Sequence, residues 1–329
     1  MKKIYRMLLF VLAGLSLFSS CNEEWKDEQY EHYVSFKAPL NSEGVTRIYV
    51  RYKHDESTNF KLPVIVSGST TNDKAITVNV AVDPDTLATL NIEQFQSRTD
   101  LYYEELESSY FSMPSTVDIV AGENTGLLDI DFTLQDIDLV DKWLLPLTIV
   151  EDPSNSYVPH PRKNYKKALL RVMPFNDYSG TYSGTALKTF LRGFEGDAAI
   201  VKSDVPVYVV DDNTVFFYAG TIDEKRTDRR NYKIYASFDE QTKQVTLTSD
   251  NPDMEFQVNG TPVFTVEETM DATRPYLLHR YVTISKIDYY FTDYTSVPNA
   301  TIGYTVRGSL ILERKINTQI PDEDQAIEW

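Results

Sequence analysis

The chain has 329 residues, with 49 acidic against 32 basic residues and a formal net charge of −17, a balance that argues against nucleic acid as a partner and against adhesion to an anionic bilayer by charge. A single cysteine excludes an internal disulfide, so packing alone must hold the fold. The 22 tyrosines beside 3 tryptophans point to β-structure rich in amphipathic aromatics.

At the amino end, Lys2, Lys3 and Arg6 form a positive stretch, and residues 7–18 form an apolar run. That run has signal-peptide length and falls short of the roughly 20 residues needed to span a bilayer. Ser19 and Ser20 then precede Cys21, the only cysteine. The order of charge, apolar run, small residues and cysteine resembles the cleavage site of bacterial lipoproteins. The resemblance implies cleavage before Cys21 and acylation of its thiol; an ordinary secretory signal with an incidental cysteine is the plainer alternative. Each buried acyl methylene contributes about 0.8 kcal/mol, so several chains anchor a protein permanently. Residues 22–28 are acidic apart from Asn22, Trp25 and Lys26. They resemble the export signal that directs lipoproteins of Bacteroidetes to the outer face of the outer membrane, and on composition alone they read as a solvated tether. The division expected is a signal peptide over 1–20, a tether over 21–31, and two domains over 32–173 and 174–329, since roughly 300 mature residues exceed one typical core.

In the first domain, Ile76, Val78, Val80 and Val82 fall on one face of a strand, and Leu128, Ile130, Phe132 and Leu134 alternate with Asp129, Asp131 and Thr133. Further strands are expected at 33–36, 46–52, 60–66, 115–120, 144–150 and 167–172. Residues 85–107 break the pattern and read as one or two short helical turns after Asp83-Pro84. Pro146 on an apolar strand points to an edge or a bulge, and Gly122 to a strand end with positive φ. The strand count fits a sandwich of immunoglobulin type. The residues Ser115-Thr116-Val117-Asp118-Ile119-Val120-Ala121-Gly122, followed by Trp143-Leu144-Leu145-Pro146-Leu147-Thr148-Ile149, resemble the immunoglobulin-like amino-terminal domain of two-domain Bacteroidetes surface lipoproteins of unknown function. Trp143 stands there at the usual aromatic position. The resemblance implies association with glycan-utilisation systems.

A proline-rich loop over 151–162 returns into the last strand of this domain. After the cut at 173/174, Tyr178-Ser179-Gly180-Thr181-Tyr182-Ser183-Gly184-Thr185 opens the second domain. Strands are expected at 205–210, 214–218, 232–239, 244–248, 255–258, 263–267, 281–291 and 301–312. Asn259-Gly260 is the strongest hairpin signal in the chain. The set reads as an antiparallel β-barrel or sandwich, and its opening resembles the carboxy-terminal domain of the same lipoproteins, with a shape similar to lipocalin-like barrels. The fold class expected is therefore all-β, an immunoglobulin-like sandwich followed by an antiparallel β-barrel or sandwich.

Chemistry is sparse. The four histidines, His32, His54, His160 and His279, are isolated in sequence and no cysteine cluster accompanies them, so no metal site is expected. Asp129, Asp131, Asp136, Asp138 and Asp141 are dense enough to raise calcium, but the first two sit on a strand and read as a solvated face. No P-loop, G-x-G-x-x-G or G-x-S-x-G occurs, so neither a cofactor nor a catalytic residue is assigned. Sugar binding needs aromatic faces and a polar rim. The candidates are Tyr289, Tyr290, Phe291, Tyr294 and Tyr304, with Arg226 and Arg229 of a charged loop as partners for a carboxylated ligand. Adjacent tyrosines on a strand point to opposite faces, so a core and a surface ladder are the competing reading. Three functions remain. The first is a non-catalytic surface lipoprotein that binds polysaccharide or oligosaccharide beside an outer-membrane importer. The second is a structural or adhesive fimbrial-type subunit. The third is a glycoside hydrolase, for which 49 acidic residues supply carboxylate pairs without singling one out.

Overall fold

Period-two alternation becomes strand through most of the chain. The structure is a computed structural model that describes residues 28, 30–196 and 198–321; the signal peptide, Cys21 and most of the expected acidic tether lie outside the described residues. The first domain contains β1 (Tyr33–Phe36), β2 (Thr46–Arg51), β3 (Thr58–Val66), β4 (Ile76–Val82), β5 (Tyr103–Glu105), β6 (Phe111–Ser112), β7 (Thr116–Ile119), β8 (Thr125–Phe132), β9 (Lys142–Ile149), β10 (Val158–Pro159) and β11 (Lys167–Phe175). One sheet has the order β10-β1-β3-β8-β6 and the other β2-β11-β9-β4-β7, with β5 added beside β9. Leu128, Ile130 and Phe132 of β8 pack inward with Val78 and Val80 of β4 and Leu145 and Leu147 of β9. Asp129 and Asp131 are left on the outer face, where Asp131 accepts from Asn59 at 2.9 Å.

Residues 85–107 hold more structure than the short turns expected. Asp83 caps a twelve-residue helix, Pro84–Phe95, by accepting from the Thr86 amide, and Pro84 occupies the first turn. A short 3₁₀ turn and β5 follow. The helix covers the outer side of β9, so Leu144 and Leu145 are both buried although they face opposite ways: Leu144 joins Val45, Leu87, Leu90, Tyr103 and Leu169 in a second small core. Pro146 is not on an edge. β9 is central, and Pro146 falls between the stretch paired with β5, which ends at Leu144, and the stretch paired with β4, which begins at Leu147. That gap makes the missing amide tolerable. Gly122 has φ +92° at the end of β7. The proline-rich loop contributes β10, which pairs in parallel with β1, and β11 runs past the 173/174 cut, pairing with β2 as far as Phe175.

The second domain contains β12 (Gly180–Ser183), β13 (Lys188–Leu191), β14 (Ile200–Val201), β15 (Asp204–Val209), β16 (Thr214–Tyr218), β17 (Lys233–Asp239), β18 (Gln244–Thr248), β19 (Gln257–Val258), β20 (Val263–Met270), β21 (Leu277–Val297) and β22 (Ala300–Asn317). The antiparallel order β22-β12-β15-β16-β17-β18-β20-β21 returns to its start through the long β21–β22 hairpin. Beside this ring, β13 and β14 form a flap on the outer half of β22, and β19 sits on β21. Tyr182, Tyr232, Tyr289, Phe217 and Phe264 are among the fully buried side chains of this domain.

Asn259-Gly260 does not form a hairpin. β19 and β20 both pair with β21, at Tyr289–Tyr290 and at Leu278–Ser285, so the chain passes the dipeptide and continues along the same strand. It marks an interruption opposite the β21 bulge at Lys286, with Gly260 at φ +98°. The real tight hairpin is Pro298-Asn299, with Asn299 at φ +61°. Gly308 lies opposite the bulge, and a Cβ there would stand 1.9 Å from the Ala186 carbonyl oxygen.

Candidate ligand-binding site

Strand alternation decides where the predicted aromatics go. Tyr289 and Phe291 of β21 point inward and are 0% and 2% exposed. The Tyr289 hydroxyl accepts from the Gly220 amide at 3.1 Å, and burial pushes that hydroxyl far above its ordinary pKa. Tyr304, opposite Phe291 on β22, stacks on it with centroids 5.2 Å apart. Tyr290 points outward and lies beneath the Arg192 guanidinium, 4.5 Å from its ring centre.

The cluster gathers around a residue that sequence reasoning missed, Tyr232. Its hydroxyl donates to Asp293 Oδ1 at 2.8 Å, and its ring lies 5.6 Å from Tyr294 and 6.4 Å from Phe291. Arg226 sits 4.9 Å over the same ring. The guanidinium of Arg226 is already engaged: it donates to Asp228 at 2.8 and 2.6 Å, to Asp293 at 3.0 Å and to Thr295 at 2.9 Å. Burial alone would raise the Asp293 carboxyl; hydrogen bonds from Arg226, Ser296 and Tyr232 outweigh it and hold the group well below the usual carboxylate range. The fork expected for a carboxylated ligand is thus filled by this chain's own carboxylates. Arg229 is 4% exposed and turns to the first domain, donating to the Val140 carbonyl at 3.2 and 2.9 Å and to the Asp100 carbonyl at 3.1 Å. Five of the seven predicted residues therefore come together, Tyr289 and Phe291 in the core and Tyr294, Tyr304 and Arg226 half-buried against it, while Tyr290 lies on the opposite face and Arg229 in the seam between domains.

An open cleft lies elsewhere, in the proline-rich loop of the first domain. It measures about 330 Å³ and is lined by Glu151, Asp152, Asn155, Tyr157, Val158, Pro159, His160, Pro161 and Lys166, within the range of roughly 300–1,000 Å³ common for small-molecule sites. Pro159 and Pro161 fix the backbone on both sides of His160, whose ring lies 5.2 Å from Tyr33 and 4.7 Å from Tyr165. Tyr165 is 42% exposed. The rim carries an ion pair, Lys166 to Glu151 at 3.0 Å. It also carries Asp152, held well below the carboxylate range by hydrogen bonds from the Ser154 and Ser156 side chains and amides. Aromatic faces beside a charged and amide rim are the arrangement that pyranose rings require. The sequence signal is Pro-His-Pro between Tyr157 and Tyr165, which in a proline-rich loop reads as a connection rather than a site.

A model for a domain of unknown function, DUF4973, matches residues 25–153, and a carboxy-terminal domain model matches residues 166–311. No curated protein matches the chain. Among solved structures, a Bacteroides ovatus protein of unknown function is 48% identical, with a TM-score of 0.79, covering 90% of this chain and 100% of that one. A Bacteroides thetaiotaomicron protein described as an auxiliary nutrient binding protein is 47% identical, with a TM-score of 0.81, covering 91% of this chain and 100% of that one. A second Bacteroides ovatus protein of unknown function is 38% identical, with a TM-score of 0.77, covering 93% and 97%. With identity at this level across both domains, the chain belongs to this family of two-domain Bacteroides proteins of unknown function.

Proposed function

We propose that the chain is a lipid-anchored protein of the outer-membrane surface that binds glycans without acting on them chemically and serves a neighbouring importer. The observation that carries this reading is the 47% identity to the whole length of a protein described as an auxiliary nutrient binding protein. The cleft at His160, with the Tyr165 and Tyr33 rings packed against that imidazole beside it, supports a glycan platform by its size and chemistry, and the sequence around Cys21 supplies the anchor. Two expectations follow. A Cys21→Ser variant moves from the membrane fraction to the soluble fraction on immunoblots; a variant that stays with the membrane removes the anchor from the account. The full chain, purified in detergent, binds at least one polysaccharide in affinity gels or on a glycan array and leaves it uncut; retention of none removes the glycan.

A further inference from the structure

The two domains meet along a seam whose charges do not balance. Arg171 of β11 lies at its centre and is 4% exposed. Its Nη2 donates to Glu224 at 3.1 Å and its Nη1 to Glu43 at 3.5 Å, while its buried Nε has no acceptor. Arg47 takes the same Glu43 oxygen at 2.8 Å. Lys142 of β9 lies 5.0 Å over the Phe95 ring and 5.6 Å over the Tyr103 ring, and Arg171 lies 5.9 Å over that same Tyr103 ring. The Lys142 amine, which has three protons to donate, makes one long hydrogen bond, 3.4 Å to the Leu101 carbonyl.

Three cations therefore share two carboxylates, in a chain whose net charge is −17. A fourth, Arg229, is nearby and is satisfied by carbonyls alone, which leave its charge in place. Burial brings the Lys142 amine down to about 8, an effect that Glu224 and Glu43 only partly offset. Lys142 is half-buried, and a partly desolvated cation with spare donors gains from a charge-assisted hydrogen bond to an anion. The edge of the seam is open at half-buried Lys142 and at Glu43 and Glu224, whose side chains remain 38% and 30% exposed, while Arg171 behind them is enclosed. Seams between domains are also a favoured place for small ligands.

We propose that this seam binds the anionic group of a charged sugar, a uronate carboxylate or a sulfate ester, with Lys142 and Arg171 as its partners. The inference rests on the glycan-binding reading, and it adds a second site with its own ligand class. The test is calorimetric titration of the full chain in detergent with oligogalacturonate, with a sulfated oligosaccharide, and with neutral oligosaccharides. At least one anionic ligand should bind, and which of the two arms responds identifies the anion. Lys142→Met should weaken that binding about tenfold, the scale of one charge-assisted hydrogen bond, and leave neutral binding unchanged. Glu43→Gln removes a rim carboxylate that competes for Arg171, so it should tighten anionic binding; this second variant keeps the test decisive if Lys142→Met folds poorly. Neutral binding with no anionic binding overturns the inference and leaves the proposed function standing. Anionic binding that Lys142→Met does not weaken, or that Glu43→Gln weakens, also overturns it. Failure of both ligand classes overturns the inference and the reading beneath it.

Discussion

His279 shows how a residue isolated in sequence acquires a charge in the fold. Its Nδ1 lies 2.7 Å from Glu313 and its Nε2 3.1 Å from Asp271. Carboxylates only accept, so both ring nitrogens must donate, and the imidazole is held as a cation. The hydrogen bond to Glu313, then that to Asp271, raises its pKa above the ordinary value, although Lys315 stands opposite on β22. A group whose folded pKa is raised contributes stability that is fully present below its unfolded pKa, about 6.5, and is lost as the pH rises through the folded value. Thermal unfolding of wild type and His279→Ala should therefore differ most near pH 5 and converge towards pH 9. A gap between the two that stays constant with pH would show that the ring serves only as packing. The same clamp pins the loop after β20, because Asp271 also accepts from the Thr273 and Arg274 amides.

At the scale of elements, the helix Pro84–Phe95 is the clearest case of a segment placed by its neighbours. Asp83 accepts from Thr86 Oγ1 at 2.7 Å and from Lys167 Nζ at 2.6 Å, which ties the helix start to β11. Asp83→Ala should cost about 1–2 kcal/mol, as expected for a lost cap. Asp83→Asn keeps an acceptor and should cost less; equal losses in chemical denaturation would mean that the Lys167 ion pair dominates. The sequence left this helix short because Leu87 and Leu90 face β9 while Ile92 stays exposed, so no clean apolar stripe marks its length. Strands with one solvated face were legible: β4 runs from Ile76 to Val82 as the alternation predicts, and β8 differs from its pattern only at the ends. Strands covered on both sides were legible as strands, β16 at its expected bounds, but which of their side chains faces inward was not. Phe216 and Phe217 are each 2% exposed because Phe217 faces the barrel interior and Phe216 packs against Tyr208 on the side nearer the first domain. Tyr289 and Tyr290 have no such second cover, and for them the two-face rule holds. Asn259-Gly260 misled because a turn dipeptide encodes backbone freedom, and whether that freedom reverses a chain or only interrupts a strand depends on β21, a partner distant in sequence.

Across the whole molecule, the candidate site was the part least legible in sequence. Most of the residues singled out near Tyr289 do assemble, around Tyr232, where their polar groups already have partners, whereas the cleft at His160 depends on β10 pairing with β1 to bring that ring beside Tyr33. The two domains are joined by buried polar contacts, so they should unfold together. Arg229→Met strips the Val140 and Asp100 carbonyls of their donor, at a cost of about 2–3 kcal/mol. In calorimetry, wild type should melt in one transition and this variant in two; two transitions in wild type would show that the domains are energetically independent. The central claim is a glycan-binding protein whose platform is the His160 cleft and the exposed Tyr165 ring packed beside it. It is tested most directly by titrating the full chain and its Tyr165→Ala variant with the best neutral glycan from the array, then weighing the recovered glycan by mass spectrometry. The account predicts binding about tenfold weaker in the variant, the upper range for loss of one aromatic contact, and a glycan recovered intact. Equal affinity in the two proteins, or a shortened glycan, would contradict it.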